Sequence, residues 1–224
     1  MSQTETMVQM CRACGASRGY RLLPSFRAPL STAAWPESSI AAQNMTQQLI
    51  DLFACQKCGH IQNTSFNPRC IPVSAGLRMH NQGYHWSHHL DRMAKEVLRV
   101  ANPSSVVVDV GCGGGEFLER LREHDPSLQC VGIDPAAPPK PFGWRSIRRT
   151  LQDGDICQIR PHVVVLRHVL EHLDKPRRFL ETIAAEVTRP TFLFVEVPNG
   201  EPALEQGRLS DWLYEHCSHF RTGS

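Results

Sequence analysis

Four of the chain's nine cysteines stand in two tight pairs, Cys11-Arg12-Ala13-Cys14-Gly15 and Cys55-Gln56-Lys57-Cys58-Gly59. A C-x-x-C spacing lets two sulfurs turn toward one ion from a single knuckle, with the following glycine easing the backbone. Two knuckles complete a tetrahedral thiolate shell. Cys11, Cys14, Cys55 and Cys58 are therefore expected to hold one zinc ion. A closed shell of four sulfurs leaves no position for water, so that zinc would serve folding rather than catalysis. Cys70, Cys112, Cys130, Cys157 and Cys217 have no partner at ligand spacing and are expected to be small buried residues.

A second constellation is Asp109-Val110-Gly111-Cys112-Gly113-Gly114-Gly115, which follows a β-branched apolar run. Glycines at a strand-to-helix turn let the backbone pass close to a nucleotide. The dinucleotide fingerprint would need a glycine where the chain has Glu116, so the D-x-G-x-G-x-G spacing favours a cofactor without a pyrophosphate. Asp134, at the end of the next apolar run, is placed to accept hydrogen bonds from two ribose hydroxyls. Loop and strand-end acid together point to S-adenosylmethionine, with Asp109, Gly111, Gly113, Gly115 and Asp134 as its contacts.

The histidines pose a rival. His168-Val169-Leu170-Glu171-His172 has the H-x-x-E-H order of one zinc metallopeptidase class, in which two helical histidines bind zinc and the glutamate activates water. Here the segment follows a buried strand and lacks an evident third ligand, which makes the peptidase a remote alternative. Arg167 and His168 are instead expected near the methionine end of the cofactor, with His172 lining the pocket. His80, His85, His88 and His89 are expected to be a solvated or lid segment, not a metal site.

These residues need elements to position them. Tyr84 to Val100 has the apolar spacing of a helix, and Glu116 to Glu123 reads as another. Val106 to Val110, Gln129 to Ile133, Val163 to Leu166 and Thr191 to Val197 are continuous apolar runs, with a weaker strand inside Trp144 to Leu151. Strands buried on both faces and separated by helices predict a parallel, doubly wound sheet, a Rossmann-like α/β fold. The turn-rich stretch from Asn67 to Gly83 reads as a linker, giving a zinc-binding domain over 1–75 and a cofactor-binding core over 76–224.

Composition bounds the partners. The 224 residues suit one ordinary domain plus a small one, and 24 basic against 22 acidic residues leave a net charge of +2, too little for wholesale phosphate-backbone binding. No apolar run approaches membrane-spanning length, and no signal peptide opens the chain, so the expected address is cytoplasmic.

With these motifs in view, the sequence resembles the class I methyltransferases, and more narrowly the deoxysugar C-methyltransferases that join a four-cysteine zinc domain to a methyltransferase core. The resemblance rests on the two knuckles, the Asp109–Gly115 loop, Arg167-His168-Val169-Leu170-Glu171-His172, Glu196-Val197-Pro198-Asn199 and Tyr214-Glu215-His216-Cys217-Ser218-His219-Phe220. It implies that His216 is the general base with Tyr214 and Glu215 beside it, His172 being a substitute. It also implies that Tyr84 belongs to a lid over the methyl donor and that the acceptor is a small molecule, a nucleotide-linked keto-deoxysugar. Such relatives continue past the position of Ser224 into further strands and a C-terminal domain, and they commonly carry an acid where this chain has His162. The chemistry would be removal of a proton beside a keto group, followed by in-line attack on the sulfonium methyl. Oxygen methylation of another small metabolite, or a shortened cofactor-binding protein without activity, are the alternatives.

Overall fold

The computed structural model describes residues 5–29, 36–71 and 83–224, so His80 and most of the expected linker lie outside the described residues. The chain divides into two compact units, one formed by 1–73, 170–179 and 197–224, the other by 74–169 and 180–196.

The first unit begins with β1 (Thr6–Val8), β2 (Arg18–Arg21), β3 (Phe26–Pro29), β4 (Gln47–Ile50), β5 (Leu52–Cys55) and β6 (Ile61–Asn63). β3 and β4 pair with each other, while β1, β2, β5 and β6 form consecutive antiparallel neighbours in one sheet. Its core gathers Ile50, Leu52, Ala54 and Ile61 with Trp212 and Tyr214. Phe53 points the other way, onto Cys11 and Cys55.

The second unit opens on helix α1 (Tyr84–Leu98), which buries Leu90, Ala94 and Val97, an i, i+4, i+7 stripe. Five parallel strands follow: β7 (Val106–Val110), β8 (Gln129–Ile133), β9 (Arg145–Ile147), β10 (Val163–Arg167) and β11 (Phe192–Glu196). Their order is β11-β10-β7-β8-β9. Helix α2 (Glu116–His124) follows β7 and buries Phe117, Leu118 and Leu121. This is the Rossmann-like α/β arrangement expected from the alternating runs. Chain order reverses between β7 and β10, and such a switch point opens a crevice at the carboxyl ends of the strands. His162, which precedes β10, accepts the Val106 N–H on its Nδ1 at 2.9 Å. Burial depresses the pKa of this imidazole, as an acceptor of that bond requires. The side chain thus satisfies the first donor of β7.

A helix α3 (Pro176–Glu186) precedes β11, and β12 (Ser218–His219) comes last. β12 pairs antiparallel with β6, as the fifth strand of the first unit's sheet. By their contacts the segments 170–179 and 197–224 group with the N-terminal part. Arg12, inside the first knuckle, helps hold them there. Its Nη1 donates to the carbonyls of Asn63 (3.1 Å) and Cys217 (2.9 Å), and its Nη2 lies 3.0 Å from Asp174. Among the described helices none is long and apolar enough to cross a membrane.

Candidate functional site

Two regions collect the residues singled out above, one in each unit. In the second unit the loop after β7 carries Gly111, Gly113 and Gly115, the glycines of the D-x-G-x-G-x-G spacing. Gly111 is packed, since a Cβ there would lie 2.5 Å from Val169 Cγ2. Gly115, at φ +90°, is packed more tightly still, with Trp144 Cζ2 2.1 Å from the corresponding Cβ position. Gly113, at φ +54°, differs: a Cβ there would meet nothing within 4 Å. First and third glycines seat the loop, and the middle one presents bare backbone to open space. Asp134 is tied to this loop, accepting the Gly113 N–H on Oδ2 (3.0 Å) and the Ala136 N–H on Oδ1 (2.6 Å). A carboxylate has about four lone-pair sites, so these bonds leave room for further donors.

At the carboxyl ends of the central strands stands a charged cluster. Arg167 donates from Nε to Glu196 Oε2 at 2.5 Å, and His89 Nε2 meets Glu196 Oε1 at 2.5 Å. His168 Nε2 lies 3.7 Å from the same oxygen. Burial opposes ionisation of Glu196, but nearby His168 and the hydrogen bonds from Arg167 and His89 hold its carboxyl well below the usual range. The Arg167 guanidinium lies over Phe117 (4.5 Å) and Trp86 (5.6 Å), and Trp86 stacks on His89. Beside it Asp109 is only 2% exposed. Burial pushes its carboxyl up to about 7 against the pull of Arg167, with Asp134 and Glu196 adding to the rise. Asp109 Oδ1, Arg167 Nη2 and Trp86 Nε1 are buried without a hydrogen-bond partner among the described residues. An orphaned acceptor together with orphaned donors is complementary to a zwitterionic amino-acid end.

Sequence reasoning named Asp109, Arg167, His168 and Asp134, and the structure brings them together. It gave no role to Trp86 or the side chain of Glu196, and it placed His89 in a solvated or lid segment, whereas His89 meets Glu196. The available signal was a strand-end acid in Glu196-Val197 and an aromatic–histidine pair three residues apart on α1. Tyr84, expected in a lid, is 78% exposed at the start of α1, with its ring near His85 and His88. His85, His88 and His89 lie within the helix expected over Tyr84 to Val100.

The H-x-x-E-H reading fails on geometry. His168 follows β10 at φ +54°, and Leu170–His172 is a 3-10 turn, so the two histidines do not face one ion from successive turns of an α-helix.

In the first unit the tetrad assembles as expected. Each sulfur of Cys11, Cys14, Cys55 and Cys58 lies within 4.8 Å of the others, with Cys11–Cys58 and Cys14–Cys55 at 3.7 Å. Zinc–sulfur bonds of about 2.3 Å in a tetrahedron give an edge of about 3.8 Å, which these distances match. Each knuckle closes the same way, Gly15 N–H on the Cys11 carbonyl and Gly59 N–H on the Cys55 carbonyl, both 2.9 Å. Of the other cysteines, Cys130 and Cys217 are buried, Cys70 and Cys112 are half-buried, and Cys157 is exposed, which corrects the expectation for that residue.

The C-terminal segment of the same unit holds the expected acid–base residues. Tyr214 is 1% exposed, its hydroxyl accepting the Asn67 N–H (2.9 Å) and facing the Ser65 carbonyl (3.3 Å), with burial raising the phenol's pKa. It anchors the fold of this segment. His216 contacts His172 edge-on, ring centroids 4.7 Å apart, and the Glu215 carbonyl meets His172 Nδ1 at 3.1 Å. His216 also lines a cavity of about 290 Å³ with Asn199, Asp211, Ser218 and His219. Buried His219 has its pKa driven down to about 3 by desolvation, and its Nε2 has no hydrogen-bond partner among the described residues.

Fold and glycine loop define a class I methyltransferase fold. The family model described as "Methyltransferase domain" matches residues 80–224, and the chain belongs to that family. The chain is similar in structure to the plantazolicin methyltransferase BpumL, solved with a desmethylPZN analogue and SAH, at 16% identity and TM-score 0.44, over 58% of this chain and 56% of that one. An O-methyltransferase family protein from Burkholderia thailandensis aligns at 17% identity and TM-score 0.46, over 61% and 47%. CalO1, a methyltransferase of calicheamicin biosynthesis in its SAH-bound form, aligns at 22% identity and TM-score 0.40, over 60% and 43%. The chain thus spans about half the length of these proteins. No curated protein matches its sequence.

The raised Asp109 yields a pH prediction. An acid whose folded pKa exceeds its unfolded value of about 3.9 stabilises the fold fully below that value, and the contribution is lost as pH rises through about 7. Asp109→Asn removes the cost of burying the ionised form. Urea unfolding of the cofactor-free chain is expected to show a stability gain for Asp109→Asn that is larger at pH 8 than at pH 5. An equal gain at both would contradict the assignment.

Proposed function

We propose that the chain is an S-adenosylmethionine-dependent methyltransferase, acting on a carbonyl-bearing small acceptor such as a nucleotide-linked keto-deoxysugar, with one structural zinc. The observation that carries the cofactor reading is the open backbone at Gly113, hydrogen-bonded to a strand-end carboxylate, beside orphaned Asp109 Oδ1 and Arg167 Nη2. Asp134 would hold the ribose hydroxyls, Asp109 an ammonium group, and Arg167 a carboxylate; His168 supports Glu196, which keeps Arg167 oriented. Tyr84 would cover the site from the first turn of α1. When bound, the cofactor supplies an electrophilic methyl on a sulfonium. What remains for the protein is to exclude water, align the acceptor and take its proton.

His216 takes the proton in this reading. The support is its position in the Tyr214-Glu215-His216 segment and its place on the wall of a cavity. Glu215 holds His172 through its backbone carbonyl, Tyr214 fixes the segment from inside the unit, and His172 lies against the base. The sugar acceptor follows from the sequence resemblance, and a panel of keto-sugar nucleotides tests it directly.

Calorimetry is expected to show S-adenosylmethionine binding, weakened in Asp134→Ala by about 1–3 kcal/mol through the lost ribose acceptor. Tighter binding of NAD than of the sulfonium cofactor would overturn the reading of the loop.

His216→Ala should spare cofactor affinity and lower turnover by roughly 10²–10⁴-fold, the share of a general base. Exchange of the acceptor's C–H with deuterated solvent at the native rate in this variant would acquit His216.

The tetrad should carry one zinc per chain, and Cys55→Ser or Cys58→Ser should release it and loosen the first unit. Elemental analysis of protein prepared without chelators decides this; a content near zero refutes the tetrad.

A further inference from the structure

Glu171, His172 and His216 each bring one donor atom to within 4.8 Å of the other two, in the unit that also holds the cysteine tetrad. We propose that these three residues form a second site, for a divalent cation of the zinc or cobalt type, and that its occupation ties up the His216 electron pair and arrests proton abstraction. The arrest rests on the reading of His216 as the base; the site itself does not.

Two imidazoles and one carboxylate are a donor set that borderline divalent ions accept while keeping positions open for water. Bonds of about 2.0–2.2 Å place donors about 3–3.5 Å apart, so the three side chains must draw together slightly. His172 is exposed and can rotate to do so without disturbing a core. Its tautomer is already suitable. The Glu215 carbonyl can only accept, so the 3.1 Å contact puts the proton on His172 Nδ1 and the electron pair on Nε2. An imidazole held by a backbone carbonyl in this way is the usual support for a metal ligand.

Glu171 adds the charge. Its side chain is in a residue only 1% exposed, and a carboxylate so far from water favours positive charge facing it. A divalent ion between it and the two imidazoles supplies more than a single imidazolium can. His216 meanwhile lines the cavity of about 290 Å³, which gives an ion a route to the group. The arrangement differs from the H-x-x-E-H pattern, because the glutamate is a ligand and His168 takes no part. It differs from the tetrad in offering nitrogen and oxygen in place of sulfur, and that difference can be read optically.

The test uses the full chain with zinc filling the tetrad, titrated with Co²⁺. One further equivalent is expected, with weak d–d absorption and without the thiolate-to-cobalt charge transfer that cobalt on cysteines produces. His172→Ala and Glu171→Gln should each weaken this uptake by about tenfold or more. Because Glu171 is buried, the exposed His172 variant carries the decision if Glu171→Gln folds poorly. Added Zn²⁺ should displace the cobalt and, over the same concentration range, slow acceptor C–H exchange with a keto-sugar nucleotide. His172→Ala should move that range upward, measured against its own metal-free rate. Absence of the further equivalent, or uptake that His172→Ala leaves unchanged, overturns the site. Uptake with undiminished exchange overturns the arrest. Native exchange in metal-free His216→Ala sinks the base reading and the arrest with it, whereas the cobalt titration decides the site by itself.

Discussion

In the second unit the two central strands are buried along nearly their whole length. Val107 to Val110 of β7 and Val163 to Leu166 of β10 are all buried. A strand covered on both faces can carry polar chemistry only where it ends. Asp109 is accordingly the penultimate position of β7 and Arg167 the last of β10, while Glu196 closes β11, whose residues are largely exposed. Because the strands are parallel, those ends fall on one side of the sheet, and the reversal between β7 and β10 parts the loops that follow them. The glycine loop, the charged cluster and the seat of Asp134 all follow from that burial.

The cost of this arrangement is concentrated at Asp109. A carboxyl nearly free of solvent, near two other acids, is poorly placed in the absence of a counter-charge. Arg167 offsets part of it but is itself drawn to Glu196. Unfavourable local groups that a bound molecule would satisfy are a common feature of binding sites, and they place the energetic demand where the ligand can meet it.

The first unit is organised differently, around closures distant in sequence. The two knuckles are more than forty residues apart, yet their sulfurs reach tetrahedral spacing because β5 carries Cys55 beside the strand that follows the first knuckle. The same unit takes in β12 through pairing with β6, and Arg12 fastens Cys217 and Asp174 to it. Residues with acid–base potential, His172 and His216, are thereby built on the framework that the tetrad braces.

Much of the second unit was legible from the chain. Val106–Val110 and Gln129–Ile133 were read with their observed bounds, since β-branched runs bounded by turn formers have few other fates, and the glycine spacing identified the loop. The doubled knuckle likewise named its four sulfurs, because ligand spacing is a local property. What the sequence did not disclose is whatever depends on pairing across long separations. It could not show that Ser218–His219 join the N-terminal sheet, that the Tyr214 hydroxyl accepts from Asn67, or that Glu171 lies with His172 and His216. Nor could it rank the glycines, since only packing shows that Trp144 and Val169 claim Gly115 and Gly111 and leave Gly113 open. Local patterns set which elements form; which side chains meet is decided by tertiary burial, through contacts that no spacing along the chain encodes.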